Sequence, residues 1–339
     1  MQGEQRAEKE LVFINLLKLL AILLVINSHC SALYPYEALA TGGALGNGLF
    51  FIISGFLYAR SFDGEIPRFG EWYKKRILKI VPVTYIYLLV TRFSQLKELI
   101  VAKDIGQLLW MFVFPTYYWF MGAFCLFLVA YYFIVRSRSR YAMPVAFAVL
   151  LAMYVVAYIL FVDRTRWSVE DNDSFFRWIY YFAIMLAGAI LYRRREQARR
   201  VTAWKALVAA ILAVIVMYAD KYAMTRSDAL MRMQWINQAC VMAFCVFAMI
   251  WGLSMENARL SYRGNGFSKL GMVAKLSWEI YLVHRTLVPI LANVVFPVNI
   301  AALLLLTLVL AFALHRLENF VSAKYRSRRG RLKGRVGVL

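Results

Sequence analysis

The sequence predicts an all-α polytopic membrane protein, a bundle of about ten transmembrane helices with N-terminus and C-terminus cytoplasmic. Three observations predict it. The chain of 339 residues is 62% hydrophobic and only 17% charged, too apolar and too evenly so for a soluble globule. Its apolar runs reach the ~17–25 residues that cross a bilayer. Its basic residues fall between those runs and mostly on one side of them. A net charge of +21 would suggest nucleic acid in a soluble domain, but here it marks cytoplasmic loops, so no nucleic-acid partner is expected.

The runs occupy 11–31, 44–60, 77–92, 119–135, 141–162, 175–192, 203–219, 235–253, 272–293 and 298–317. With the N-terminus inside, the inner segments hold 28 of the 40 Lys and Arg and the outer segments hold 8. One span more or fewer in the middle would spoil that bias. The stretch 105–135 is too long for one perpendicular helix. Pro115 divides it, so 105–117 reads as an outer-surface or re-entrant piece before the fourth span.

Short mixed-charge outer loops follow at Asp163–Asp173 and Asp220–Gln234. Residues 1–323 form one transmembrane domain without internal repeats, and 324–339 a basic tail, disordered and held near anionic lipid. The first run resembles a signal peptide, but Lys18 interrupts it and no small-residue cleavage pattern follows, so it is expected to be retained. Cys30, Cys125, Cys240 and Cys245 show no metal-ligand spacing, and no metal is expected.

Charge inside the first run needs a reason, because Lys18 and His29 are costly groups in hydrocarbon. Eleven positions apart, they lie about 20° apart around a helix and about 16 Å apart along it, and so share one face. The next two signals are Gly46-Asn-Gly-Leu-Phe-Phe-Ile-Ile-Ser-Gly-Phe-Leu57, opening the second span, and Phe69-Gly-Glu-Trp-Tyr-Lys-Lys-Arg-Ile-Leu-Lys-Ile-Val-Pro82 in the loop after it. Weaker ones follow at Tyr118-Trp119-Phe120, at Ser277-Trp-Glu-Ile-Tyr-Leu-Val-His284 and at Glu318.

In order and spacing these resemble the signatures of the membrane-bound acyltransferase family 3, over nearly the whole chain. The resemblance implies ten helices and transfer of an acyl group, usually acetyl, from cytoplasmic acyl-coenzyme A. The acceptor would be a hydroxyl of an envelope carbohydrate such as lipopolysaccharide, peptidoglycan or an exopolysaccharide. Acetyl-CoA would be a donor substrate, with no permanently bound cofactor, and the location a bacterial inner membrane. A homo-oligomer is compatible with this. The family's basic residue and histidine fall on Lys18 and His29, and its paired basic residues on Arg76 and Lys79. Asn15 stands where the family usually has an acidic residue. Lysine at 18 and 79, where arginine is commoner, keeps the charge but loses the bidentate fork that suits phosphate.

Each residue also has a plainer reading. His29 would otherwise cap the outer end of a helix, but its alignment with Lys18, beside Asn27 and Ser28, favours catalysis. Acyl transfer to a hydroxyl needs a base near neutral pH, which histidine supplies; a transient acyl-imidazole is also chemically allowed. Lys18 could snorkel to the cytoplasmic surface, still on the donor's side. Arg76 and Lys79 could simply enforce topology; with Lys18 they would otherwise form a basic funnel for coenzyme A phosphates. Ser54-Gly55 lacks a nucleophile elbow and reads as close helix packing, and the Gly42–Gly48 cluster is no phosphate loop.

Glu279 and His284, five residues apart, do not share a face, and Glu279 reads as the partner of a cation. They join Asn15, Ser54 and Trp119 as secondary candidates. His315 and Arg316 suit a helix C-terminus. Tyr34, Tyr36, Tyr117 and Trp119 are the candidates for sugar stacking among aromatics that otherwise anchor at the interface. The alternatives are a transporter or flippase for a lipid-linked glycan, which predicts repeats with broken helices, and a catalytically inactive family-like binding protein.

Overall fold

A computed structural model describes residues 12–113, 119–137, 139–170, 175–257 and 271–336. Tyr117 and Tyr118, and Pro115, lie outside them. The described residues are helical, with no strand. In chain order the helices are α1 (Val12–Ser28), α2 (Gly43–Arg60), α3 (Phe69–Ile77), α4 (Val81–Thr91), α5 (Phe93–Val101), α6 (Ile105–Val113) and α7 (Trp119–Val135). Then come α8 (Ala142–Phe161), α9 (Phe175–Arg193), α10 (Arg195–Arg199), α11 (Ala203–Met224), α12 (Gln234–Asn257), α13 (Ser277–Leu291) and α14 (Val298–Val336).

A helix lies in each of the ten apolar runs. Among the described residues, five helical stretches are long and apolar enough to cross a membrane: Glu37–Arg60, Ala142–Phe161, Ala203–Met224, Asp228–Glu256 and Val298–Ala323. Val12–Ser28 and Trp119–Val135 are shorter apolar helices. Phe69–Thr91 and Phe93–Val101 form a further candidate, bent by 76° at its break. Pro82 stands in the first turn of α4, where a missing amide hydrogen costs no helix bond. Asp104 accepts from the Gln107 amide at 2.9 Å and so caps α6 within the predicted 105–117 piece.

The basic tail differs from its expectation. Its backbone continues α14 as far as Val336 rather than leaving the helix. Lys and Arg are good helix formers, and no proline interrupts the segment to stop it.

The chain divides into two compact units. One takes in Met1–Ser28, Thr41–Pro67 and Phe127–Lys275. Its core is apolar side chains of α1, α2, α9 and α12, with Leu17, Ile52, Tyr181 and Cys245 buried. Glycines bring these helices together: a Cβ at Gly55 would overlap the Met185 carbonyl of α9, and one at Gly188 the Ile52 carbonyl of α2. Ser54 is half-buried beside this crossing. The Tyr131 hydroxyl donates to the Gly55 carbonyl at 2.5 Å, tying α7 to the same crossing.

Within this unit α8 and α11 leave Val149, Val156, Ile211 and Ile215 exposed, as helices facing hydrocarbon do. Gln234 ties the loop after α8 to α12: its Nε2 donates to the carbonyls of Asp163, Arg166 and Met231, and its Oε1 accepts from the Ser168 and Val169 amides. In that loop the Thr165 hydroxyl and amide both donate to Asp163 and hold its carboxyl below the ordinary range.

The other unit takes in His29–Ala40, Arg68–Leu126 and Leu276–Leu339. Here α13 packs against α14 and α4. The Trp278 indole donates to Thr84 Oγ1 at 3.0 Å, and Thr84 in turn donates to the Ile80 carbonyl at 2.7 Å.

Candidate active site

Helix α1 ends at Ser28, whose hydroxyl turns back to the Val25 carbonyl at 2.7 Å, so His29 leaves the helix in a turn. A 3-10 turn at Ser31–Leu33 follows. Asn299, buried at the start of α14, fixes that turn by donating to the Leu33 carbonyl at 2.7 Å, while its own oxygen accepts from the Ile300 amide. The half-buried His29 is thus held from the chain beyond it.

His284 meets it. On α13, fully buried, His284 places Nε2 3.0 Å from His29 Nδ1, with ring centroids 5.0 Å apart. His284 Nδ1 lies 3.1 Å from the Ile280 carbonyl one turn earlier. A carbonyl only accepts, so Nδ1 of His284 carries the hydrogen and, in the neutral ring, Nε2 is the acceptor. His29 Nδ1 then donates to it, which leaves the lone pair of His29 on Nε2. Backbone acceptance from His284 Nδ1 therefore orders the tautomers of two imidazoles in series, as a carboxylate does for a catalytic histidine elsewhere.

Aromatic rings wall the same stretch of α13. Tyr281 lies 5.9 Å from His284 and stacks on Trp278 at 5.3 Å. Phe120 meets Tyr281 at 5.5 Å, and Trp119 stands beside Phe120 at 6.0 Å. Glu279, also buried, accepts from His315 Nδ1 at 2.7 Å. Glu279 and His284 of α13 thus have different partners, His29 for His284 and His315 for Glu279.

The remaining candidates sit as follows. Arg76, near the end of α3, donates to the Trp72 carbonyl at 2.8 Å and lies 4.0 Å over the Trp72 ring. Lys79 is exposed in the turn between α3 and α4. Asn15 and Lys18 are half-buried on α1. Tyr36 is exposed, and Tyr34 lies 5.9 Å from Phe296. Among the described residues no three His, Cys, Asp or Glu side chains gather as a metal site would require. Asn299 and the Ile280 carbonyl have no motif in the sequence; the one signal is an asparagine at the head of an apolar helix.

These features define a multi-pass helical membrane protein with a paired-imidazole centre. The family model described as "Acyltransferase domain" matches residues 11–316, nearly the whole chain. The chain belongs to the membrane acyltransferase family 3. Comparison with curated proteins and with solved structures gave no match.

Proposed function

We propose that the protein is an O-acyltransferase of the bacterial inner membrane that moves an acyl group, most simply acetyl, from cytoplasmic acyl-CoA to a hydroxyl of an envelope carbohydrate. The observation that carries this reading is the chain from His29 through His284 to the Ile280 carbonyl, which leaves His29 Nε2 as a base. The acceptor hydroxyl gives its proton to Nε2 as its oxygen attacks the thioester carbonyl. The tetrahedral intermediate collapses, the C–S bond breaks, and His29 returns the proton to the coenzyme A sulfur. His284, by accepting from Nδ1, stabilises the imidazolium between those two transfers.

Arg76 and Lys79 serve the donor's phosphates in this reading, and Lys18 has the same role on α1, on the strength of the family pattern and their charge. Trp119 and the exposed Tyr36 are offered to the sugar. The topology has ten spans with both termini cytoplasmic, supported by the 28-to-8 division of Lys and Arg and by a helix in each run.

Mass spectrometry of envelope glycans tests it, comparing cells that carry the gene, cells that lack it and cells with His29→Ala. A mass increment of one acyl group present only with the intact gene is expected. Identical glycans in all three, with the protein found in the membrane, would refute the proposal.

A further inference from the structure

A second candidate site lies in the unit built on α2, α9 and α12, and it shares no residue with the imidazole pair. The C-terminal ends of α2, α7 and α9 and the start of α10 border a cavity of about 450 Å³, within the ~300–1,000 Å³ typical of small-molecule sites. Ala59, Phe62, Ile66 and Val135 give it an apolar side. Arg136, Arg193 and Arg195 give it a cationic one, beside Ser137 and Asp63.

The guanidinium groups themselves stand at this cavity. Arg193 donates to the Val135 and Ser137 carbonyls at 3.2 Å each and to the Ser139 carbonyl at 3.5 Å, closing the end of α7. Arg195 donates to the Tyr192 carbonyl at 3.0 Å and lies 4.2 Å over the Tyr192 ring. Arg136 has a different setting. It is exposed and 5.6 Å over Tyr132, which meets Phe62 of the lining at 5.6 Å, and among the described residues no hydrogen bond or ion pair engages its side chain. The one acidic residue of the lining does not neutralise these charges: Asp63 accepts from the Tyr192 hydroxyl and, among the described residues, forms no ion pair with any of the three. Arg195 is 3.8 Å from Glu196, off the lining, and Glu196 lies nearer Arg199 at 2.7 Å. Three guanidiniums against one carboxylate leave two positive charges on the lining. A guanidinium also has more N–H donors than these contacts use.

A phosphate monoester carries a charge of about −1.5 to −2 at neutral pH, the complement of that lining, whereas a carboxylate or a phosphodiester carries a single charge. Guanidinium forks match its oxygens through charge-assisted hydrogen bonds. We propose that this cavity binds a phosphate monoester, its phosphate at Arg136 and Arg195 in the field of Arg193, and the group it esterifies against Phe62, Ile66 and Val135. In the proposed ten-span topology these helix ends face the cytoplasm, where the ester is either a soluble nucleoside monophosphate or the headgroup of a phosphatidic acid. The phosphate chemistry is the same for both. The site does not depend on the acyl-transfer reading, in which none of its residues takes part.

The test is isothermal titration calorimetry of the full chain in mild detergent. The probes are AMP with adenosine as its control, and dihexanoyl phosphatidic acid with dihexanoyl phosphatidylcholine as its control. At least one of the two monoesters should bind, and its control should bind far more weakly; the tighter monoester names the source. The double variant Arg136→Gln, Arg195→Gln should bind that monoester about tenfold more weakly, as expected for loss of charge-assisted contacts. Arg140→Gln, which removes an exposed arginine off the lining, should leave binding unchanged. Ile66→Trp, which fills the cavity and leaves the arginines, should weaken binding too and keeps the test decisive if the double variant fails to fold. Binding of neither monoester, controls that bind as well as the monoesters, or monoester binding unchanged in the arginine and cavity-filling variants would overturn the proposal. So would an equal loss in Arg140→Gln, which would mark a general effect of surface charge.

Discussion

In the proposed mechanism His29 works through the tautomer of its neighbour His284, whose Nδ1 faces the Ile280 carbonyl. Replacing His284 by Leu removes the acceptor for His29 Nδ1 and lets the hydrogen move to Nε2, where the proposed base is needed. Turnover should fall about 100-fold or more, within the range that general base catalysis supplies, while the KM for acyl-CoA changes little. His284→Gln keeps an acceptor oxygen and should retain more activity than the Leu variant. Equal losses in the two would point to packing instead. Acid should also silence the enzyme, because protonating the imidazole pair removes the lone pair on Nε2; initial rates measured downward from neutral pH check this. Asn299→Ala acts one step further out. It leaves the Leu33 carbonyl unmet near His29, a loss of about 1–3 kcal/mol that a lowered thermal midpoint in detergent would report.

Both histidines are visible in the sequence, each inside or beside an apolar run, but their pairing is not. They stand 255 residues apart, and no spacing rule reaches that far. The absence of a carboxylate at Asn15 leaves the orienting partner of His29 unassigned from sequence. The structure places the imidazole of His284 3.0 Å from His29 Nδ1. Glu279 reads from the sequence as a cation's partner, whereas His315, which suits a helix end, is the side chain that meets it.

At the scale of elements, helix positions follow from apolar length, whereas helix contacts follow from single residues that length does not reveal. Ser54-Gly55 reads as a packing pair, and the structure brings the Met185 carbonyl against Gly55 and the Ile52 carbonyl against Gly188. Any side chain there must displace backbone. Gly55→Leu and Gly188→Leu should each lower the thermal midpoint, by more than the ~1–3 kcal/mol of ordinary overpacking, whereas Gly70→Ala, which meets nothing within 4 Å, should be close to neutral. A midpoint unchanged by both leucines would contradict the close approach of α2 and α9. The 76° break after α4 was not legible, since Thr91-Arg92-Phe93 carries neither proline nor glycine. Only the apolar surplus of the following stretch hinted that the chain does more there than cross once.

Across the whole molecule, charge decides topology where hydropathy alone does not. Some of the ten helices fall short of a full crossing by length and composition, so the count of ten rests on the sidedness of Lys and Arg. Single cysteines placed in a background lacking the four native ones would map it. Those at 97, 165 and 228 should react with an impermeant maleimide from outside, and those at 63, 138 and 197 only after the membrane is opened. The family match spans residues 11–316 and so covers all ten of the apolar runs almost completely.

The central claim is that His29 is the base of an acyl transfer and that His284 sets its tautomer. Its most direct measurement is coenzyme A release by purified wild-type, His29→Ala, His284→Gln and His284→Leu protein, given acetyl-CoA and envelope glycan extracted from cells lacking the gene. The account predicts release that depends on the glycan in the wild type, background in His29→Ala, and His284→Gln above His284→Leu. Folded His29→Ala protein releasing coenzyme A at the wild-type rate would contradict it.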